Sequence, residues 1–141
     1  LMFRKFASLP RQLVASPQFL AAHPALSRPE DLKGLPALAI RRDQIEWELV
    51  HADGSKVSIS PRIDFAANRQ SILVDAAIAG LGVANLPIFL VHQQIGAGTL
   101  LRVLPQWTPS PVEMTALWQK DRITGRVIKA IVAEFAEALS F

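Results

Sequence analysis

Residues 75 to 87 read DAAIAGLGVANLP, uncharged after the opening aspartate, with two glycines in the middle and a proline at the end. Three readings compete for this stretch. A membrane segment needs about eighteen apolar residues in a row, and this run is shorter than that. A dinucleotide loop sets its glycines after a strand and ahead of a helix, so that the helix N-terminus meets the phosphates. Here the helical pattern comes first and the strand second, and Asn85 stands in the sixth position of GLGVAN. What remains is a joint. A small-faced helix ends at a left-handed Gly80, and a short buried strand over 83–86 follows at once, stopped by Pro87.

Upstream of the joint, Asn68 is placed to cap a helix over 68–79, with Ile72, Leu73, Ala76, Ala77 and Gly80 on one face. RIDFA (62–66) reads as a strand, and EWELVH and SKVSIS flank Ala52-Asp53-Gly54 as a hairpin with an Asp-Gly turn. PALAI (36–40) is short, apolar and bounded, a buried strand. SRPEDLKG (27–34) predicts a compact helix capped by Ser27, with Glu30 at the capping-box spacing and Gly34 closing the turn. RQLVA (11–15) is a strand that runs into Ser16-Pro17, a capping serine followed by proline in the first turn of a short helix, PQFLAA. The opening LMFRKF alternates like a strand entered midway, as in a chain that has been cut.

Downstream, PIFLVHQQI (87–95) predicts a short helix, Gly96-Ala97-Gly98 a turn, and LLRVLP (100–105) a strand. A proline-rich loop follows to Pro111, then a strand over 112–118 and the longest helix, over 124–139. Val127, Ile128, Ile131, Val132, Phe135, Ala138 and Leu139 would form that helix's inner face, with Arg126, Lys129, Glu134 and Glu137 outside. Strands alternating with helices at these lengths imply an α/β sheet.

A chain of 141 residues, 50% hydrophobic and 19% charged, suits one ordinary domain with a core of its own. It has no cysteine, so disulfides, thiolate metal sites and thiol catalysis are excluded. The net charge of +3 is spread along the chain, with only Arg41-Arg42 and Lys120-x-Arg122 close together, unlike a nucleic-acid-binding stripe. No basic-then-apolar leader opens the sequence, and a reducing cytoplasm is the expected location, with no membrane partner.

Catalytic chemistry finds little support. His23, His51 and His92 lie far apart, none with a partner at metal-ligating spacing or a neighbouring nucleophile. No Gly-x-Ser-x-Gly elbow is present, and Asp43, Glu46 and Glu48 read as a solvated hairpin edge. No enzyme, metal or cofactor is expected. A ligand site is easier to argue, because open α/β sheets bind ligands at the carboxyl ends of their strands, where helix N-termini converge. Three segments have that character: Ser16 after RQLVA; Ile40, Arg41 and Arg42 after PALA; and Asn68, Arg69, Gln70 and Ser71 at the head of a helix. Taken singly, Ser16 and Asn68 are caps, and Arg41 and Arg42 a solvated loop. Together they would make a cationic rim suited to a small anion such as a carboxylate.

The order of LVASPQFLAAHPALSRPEDLKGLPAL, a Trp and an Asp-Gly in a hairpin, PRIDFAAN, AAIAGLGVANLP, GTLLRVLPQW and TGRVIKAIVAEFAEAL resembles the effector-binding domain of LysR-type transcriptional regulators along the whole chain. The resemblance implies a periplasmic-binding-protein-like (type 2) fold. Residues 11–107 would be the complete second subdomain, and 1–8 and 112–141 part of the first. It also implies a small-molecule inducer in the cleft, and a homodimer or tetramer. DNA would be bound only through an N-terminal helix-turn-helix that this sequence does not include. Ligand binding would shift the angle between subdomains. The surviving effector-facing positions would be the same three segments. The alternative is a free-standing solute-binding domain, which an export signal or a full first subdomain upstream, without a helix-turn-helix, would favour. The bare first subdomain should leave Leu1, Phe3, Val112, Met114 and the last helix's apolar face partly uncovered, and so favour association.

Overall fold

The computed structural model describes residues 2–40 and 46–118, together with 126, 127, 130, 131, 133 and 134, which are helical. It divides into two compact units, Pro10–Ser110 and the pair Leu1–Leu9 with Pro111–Phe141.

The Pro10–Ser110 unit is built on a five-stranded mixed sheet. Its strands are β2 (Arg11–Ala15), β3 (Pro36–Ala39), β6 (Arg62–Ala66), β7 (Val83–Pro87) and β8 (Leu101–Arg102), in the order β6-β3-β7-β2-β8. β3 runs parallel to β6 and β7, whereas β2 runs antiparallel to β7 and β8. The three inner strands, β2, β3 and β7, bury both faces, as a sheet covered on both sides requires. Leu13, Ala15, Ala37 and Val83 face one core, with Phe19 and Leu32, and with Trp47, Leu49 and Ile59 from a second sheet. Val14, Leu38, Ala84 and Leu86 face the other, against Leu73, Val74, Ala76, Ala77 and Val91.

The second sheet is three-stranded: β4 (Trp47–His51) lies between β5 (Lys56–Ile59) and β9 (Trp107–Pro109). The expected hairpin therefore forms, and Gly54 takes the positive φ that its turn needs, +93°. β9 hides in the proline-rich stretch that reads as loop. It pairs with β4 through Trp107–Pro109, and the Ser110 N–H carries the bonding one residue further, to the Glu48 carbonyl. The strand expected over 100–105 shrinks to Leu101–Arg102, because the chain turns at Leu104, which has φ +50°.

α1 (Pro17–Ala22) starts as expected, with Phe19 N–H donating to Ser16 Oγ at 3.0 Å. His23 closes it, its Nδ1 3.0 Å from the Phe19 carbonyl and its ring stacked on Phe19 at 4.4 Å. The next turn, Pro29–Gly34, is 3-10 rather than α. The carboxylate that caps it is Asp31 rather than Glu30: Asp31 Oδ2 accepts from the N–H groups of Ser27 and Arg28, each at 3.0 Å. Those bonds lower the Asp31 pKa, Ser27 first and Arg28 second.

The joint expected over residues 75–87 is present. α2 (Gln70–Ile78) runs into Gly80 at φ +85°, and β7 begins at Val83. A Cβ on Gly82 would lie 2.6 Å from the Pro36 carbonyl oxygen, so glycine lets the turn pass directly over the start of β3. Two details differ from the sequence reading. The helix starts at Gln70 with Arg69 in the cap position and no side-chain capping bond, so Asn68 stands one residue outside it. Its inner face is Leu73, Val74, Ala76 and Ala77, packed on the sheet, while Ile72, expected on that face, is 43% exposed. α3 (Ile88–Ala97) follows β7 without a linker and ends on a left-handed Gly98.

In the other unit, β1 (Met2–Leu9) pairs antiparallel with β10 (Val112–Trp118), with an irregularity between Lys5 and Ala7. Lys5 and Glu113 form an exposed ion pair at 2.7 Å. Phe3 is 73% exposed and Val112 partly so. Val127 and Ile131, expected on an inner helical face, are instead 52% and 54% exposed. Leu1, the Met114 side chain and the other five positions of that face lie outside the described residues.

Candidate functional site

Strand direction decides which of the expected site residues can meet. β3 and β6 end at the same edge of the central sheet, through the pairing Ala39↔Ala66. Ile40 follows one, and Asn68, Arg69, Gln70 and Ser71 follow the other at the start of α2. These two segments share an edge. Arg41 and Arg42 lie outside the described residues. Asn68, Arg69 and Ser71 are exposed and Gln70 is half-buried, as a rim requires.

Ser16 does not belong to that rim. β2 runs against its neighbours, with Arg11 opposite Pro87 and Val14 opposite Ala84, so Ser16 follows the end of β2 at the opposite edge. It is fully buried there, its hydroxyl capping α1 and lying 3.4 Å from where a Gly80 Cβ would sit. The strand-end rule misplaces it because the rule holds for parallel strands, and β2 is antiparallel.

The same reversal brings in a residue that the pattern reading passed over. Because β2 starts where β3, β6 and β7 end, Arg11 stands on the ligand-type edge. Its Nε donates to the Ser110 carbonyl at 2.6 Å, which joins the strands where the chain enters and leaves the unit. Among the described residues Nε alone of the guanidinium has a protein partner. Partial burial lowers the Arg11 pKa from its ordinary value by desolvation. A partly desolvated guanidinium with donors to spare is suited to pair with a planar oxyanion. Ser110 continues the polar chain, its N–H donating to the Glu48 carbonyl at 3.1 Å and its hydroxyl to Glu48 Oε2 at 3.3 Å. A shallow depression of about 500 Å³ reaches Ser110 along Glu48, Val50, Lys56 and Ser58.

Three buried side-chain atoms lack any hydrogen-bond partner among the described residues: Nδ2 and Oδ1 of Asn85, and Oε1 of Gln94. No group of three or more potential metal ligands occurs among the described residues. No described helix is long and apolar enough to cross a membrane.

A mixed α/β unit whose polar groups collect at one strand-end edge is a ligand-binding fold, of the periplasmic-binding-protein type 2 class. The chain belongs to the LysR substrate binding domain family, which it matches over residues 1–140. It is 28% identical over 130 residues to the HTH-type transcriptional activator AaeR of Escherichia coli K12, covering 90% of this chain and 42% of that protein. It is 31% identical over 138 residues to the HTH-type transcriptional regulator DmlR of the same strain, covering 96% of this chain and 44% of the relative. The regulatory domain of a variant of AphB from Vibrio vulnificus superposes with a TM-score of 0.80 at 29% identity, over 96% of this chain and 68% of that one. The chain thus spans less than half the length of the curated relatives it matches. Those relatives are transcriptional regulators, which bears out the reading that this is no enzyme and does not favour a free-standing solute-binding domain.

Proposed function

We propose that this chain is the sensing part of a LysR-type transcriptional regulator and that it takes a small anionic effector, a carboxylate, at the edge formed by Arg11, Ile40 and Asn68–Ser71. Residues 11–107 make the whole second subdomain in this reading, and 1–8 with 112–141 part of the first. DNA contact belongs to a helix-turn-helix elsewhere in a longer cytoplasmic protein that works as a homodimer or tetramer. Effector binding shifts the balance between two arrangements of the subdomains, and so of the DNA-binding arms.

The observation that carries the anion reading is Arg11. Its guanidinium is partly desolvated, sits at the strand-end edge and commits only Nε to the protein among the described residues. A charge-assisted pair there would supply affinity that a neutral ligand could not match. The test is a thermal-shift and calorimetric comparison of propionate, succinate and benzoate with their uncharged amides. Carboxylates should stabilise the chain and the amides should not, and Arg11→Gln should abolish the difference. Amides that bind as tightly as their acids would overturn the anion reading.

A further inference from the structure

Asn85 is the residue whose chemistry the fold leaves unused. It lies in β7, in the middle of the central sheet, directly opposite Leu13 of β2. Val83 and Leu13 belong to the core on one side of the sheet, and Ala84 and Leu86 to the core on the other. Alternation therefore puts Asn85 on the Leu13 face, together with Arg11. Arg11 pairs with Pro87, so Asn85 is its diagonal neighbour, about 7 Å away between backbones. On the other side β3 continues the register Leu38↔Ala84, which brings Ala39 beside Asn85, and Ala39 in turn pairs with Ala66. The register thus places Asn85 between Arg11 and Ala39 on one face of the sheet.

Both ends of that carboxamide are shut off from solvent, and neither has a partner among the described residues. A buried amide usually has its donor and acceptor matched, and leaving both unmatched costs more than a leucine of similar size would at the same place. A strand core has no structural use for such a group. Its sense appears when a ligand is added at the Arg11 edge.

We propose that Asn85 is a specificity-determining residue of the effector site, pairing with a hydroxyl or carboxamide carried next to the effector's carboxylate. The chemistry selects that class. A bare carboxylate only accepts, so it would satisfy Nδ2 and leave Oδ1 orphaned; an alkyl group would satisfy neither. A hydroxyl or a carboxamide donates and accepts, and so answers both atoms while Arg11 holds the carboxylate. This inference rests on the anion reading above and narrows it to hydroxy or amido acids.

The experiment titrates the chain with lactate against propionate and with 3-hydroxybutyrate against butyrate. The hydroxy acids should bind about tenfold more tightly, the worth of a buried hydrogen-bonded pair. In Asn85→Leu the two members of each pair should bind within about twofold of each other. The ligand-free variant should also melt about 3 °C higher, since it removes an unmatched buried amide. Asn85→Val repeats the measurement should the leucine not fit. A ligand-free melting point below wild type for both variants would show an amide already satisfied, and would sink the proposal. Equal wild-type binding of hydroxy and plain acids, with both lost in Arg11→Gln, would overturn the role of Asn85 and leave the anion reading standing. No binding of any acid would overturn both.

Discussion

The two edges of the central sheet are made differently. At the far edge everything is committed: the Ser16 hydroxyl caps α1, Gly80 turns the chain close above it, and Gly82 passes over Pro36 with no room for a methyl group. At the near edge groups are left over, with Arg11 using one nitrogen among the described residues and Asn68 giving α2 no side-chain cap. Asn85, further in, pairs with nothing described. A protein spends its polar groups on itself where it needs shape and holds them back where it meets something else. That contrast supports the near edge as the proposed site.

The contrast is most sharply tested at Gly82. Gly82→Ala should cost about 3 kcal/mol, because the new Cβ meets backbone rather than a side chain that could move. Urea denaturation giving a change below half that would mean the far edge has slack. Ser16→Ala comes next, at about 1 kcal/mol, the worth of a lost helix cap. It should leave ligand binding unchanged, and loss of binding would return Ser16 to the site. Asn68→Ala should alter stability by less than about 0.5 kcal/mol, as an exposed residue outside the helix start. A loss as large as that for Ser16 would restore it as a cap and weaken the contrast.

The smallest effect lies off both edges, at the hairpin turn. Asp53 is exposed yet fully engaged: the Ser55 side chain and then the Ser55 N–H, at 2.8 Å, bring its pKa down from 3.8 to about 2. A carboxylate whose folded pKa is depressed adds stability above its unfolded pKa and loses it as pH falls through the folded one. The Ser55 amide resonance should therefore move with an inflection near pH 2. An inflection near the unperturbed 3.8 would mean the turn bonds do not form in solution.

Local chemistry was legible in the sequence and long-range direction was not. Ser16-Pro17, the Asp-Gly turn and Gly80 each announce a backbone event within four residues, and each forms where expected. Whether β2 runs with or against β7 is set by contacts some seventy residues apart, and no local pattern encodes it. That one unknown moved Ser16 to the wrong edge and hid Arg11. β9 was missed because two prolines mask a three-residue strand, and it exists only because β4 has an open side. Asn85 was read as a misfit in a glycine loop; its alternation within VANLP already marked a polar residue on a core-facing strand.

The bond from Arg11 to Ser110 also bears on the order of assembly. Seen from β1 and β10, the Pro10–Ser110 unit is a loop of roughly a hundred residues, and closing such a loop while unfolded costs about 4 kcal/mol in chain entropy. Once the unit has folded, Arg11 and Ser110 hold its two ends together, and most of that cost has already been met. The β1–β10 ribbon then closes like a hairpin whose turn happens to be a folded body. Pulse-labelled hydrogen exchange should find β7 amides protected before those of β1, and the reverse order would refute this sequence of events. A contact that looks like a strut is in this sense a clock.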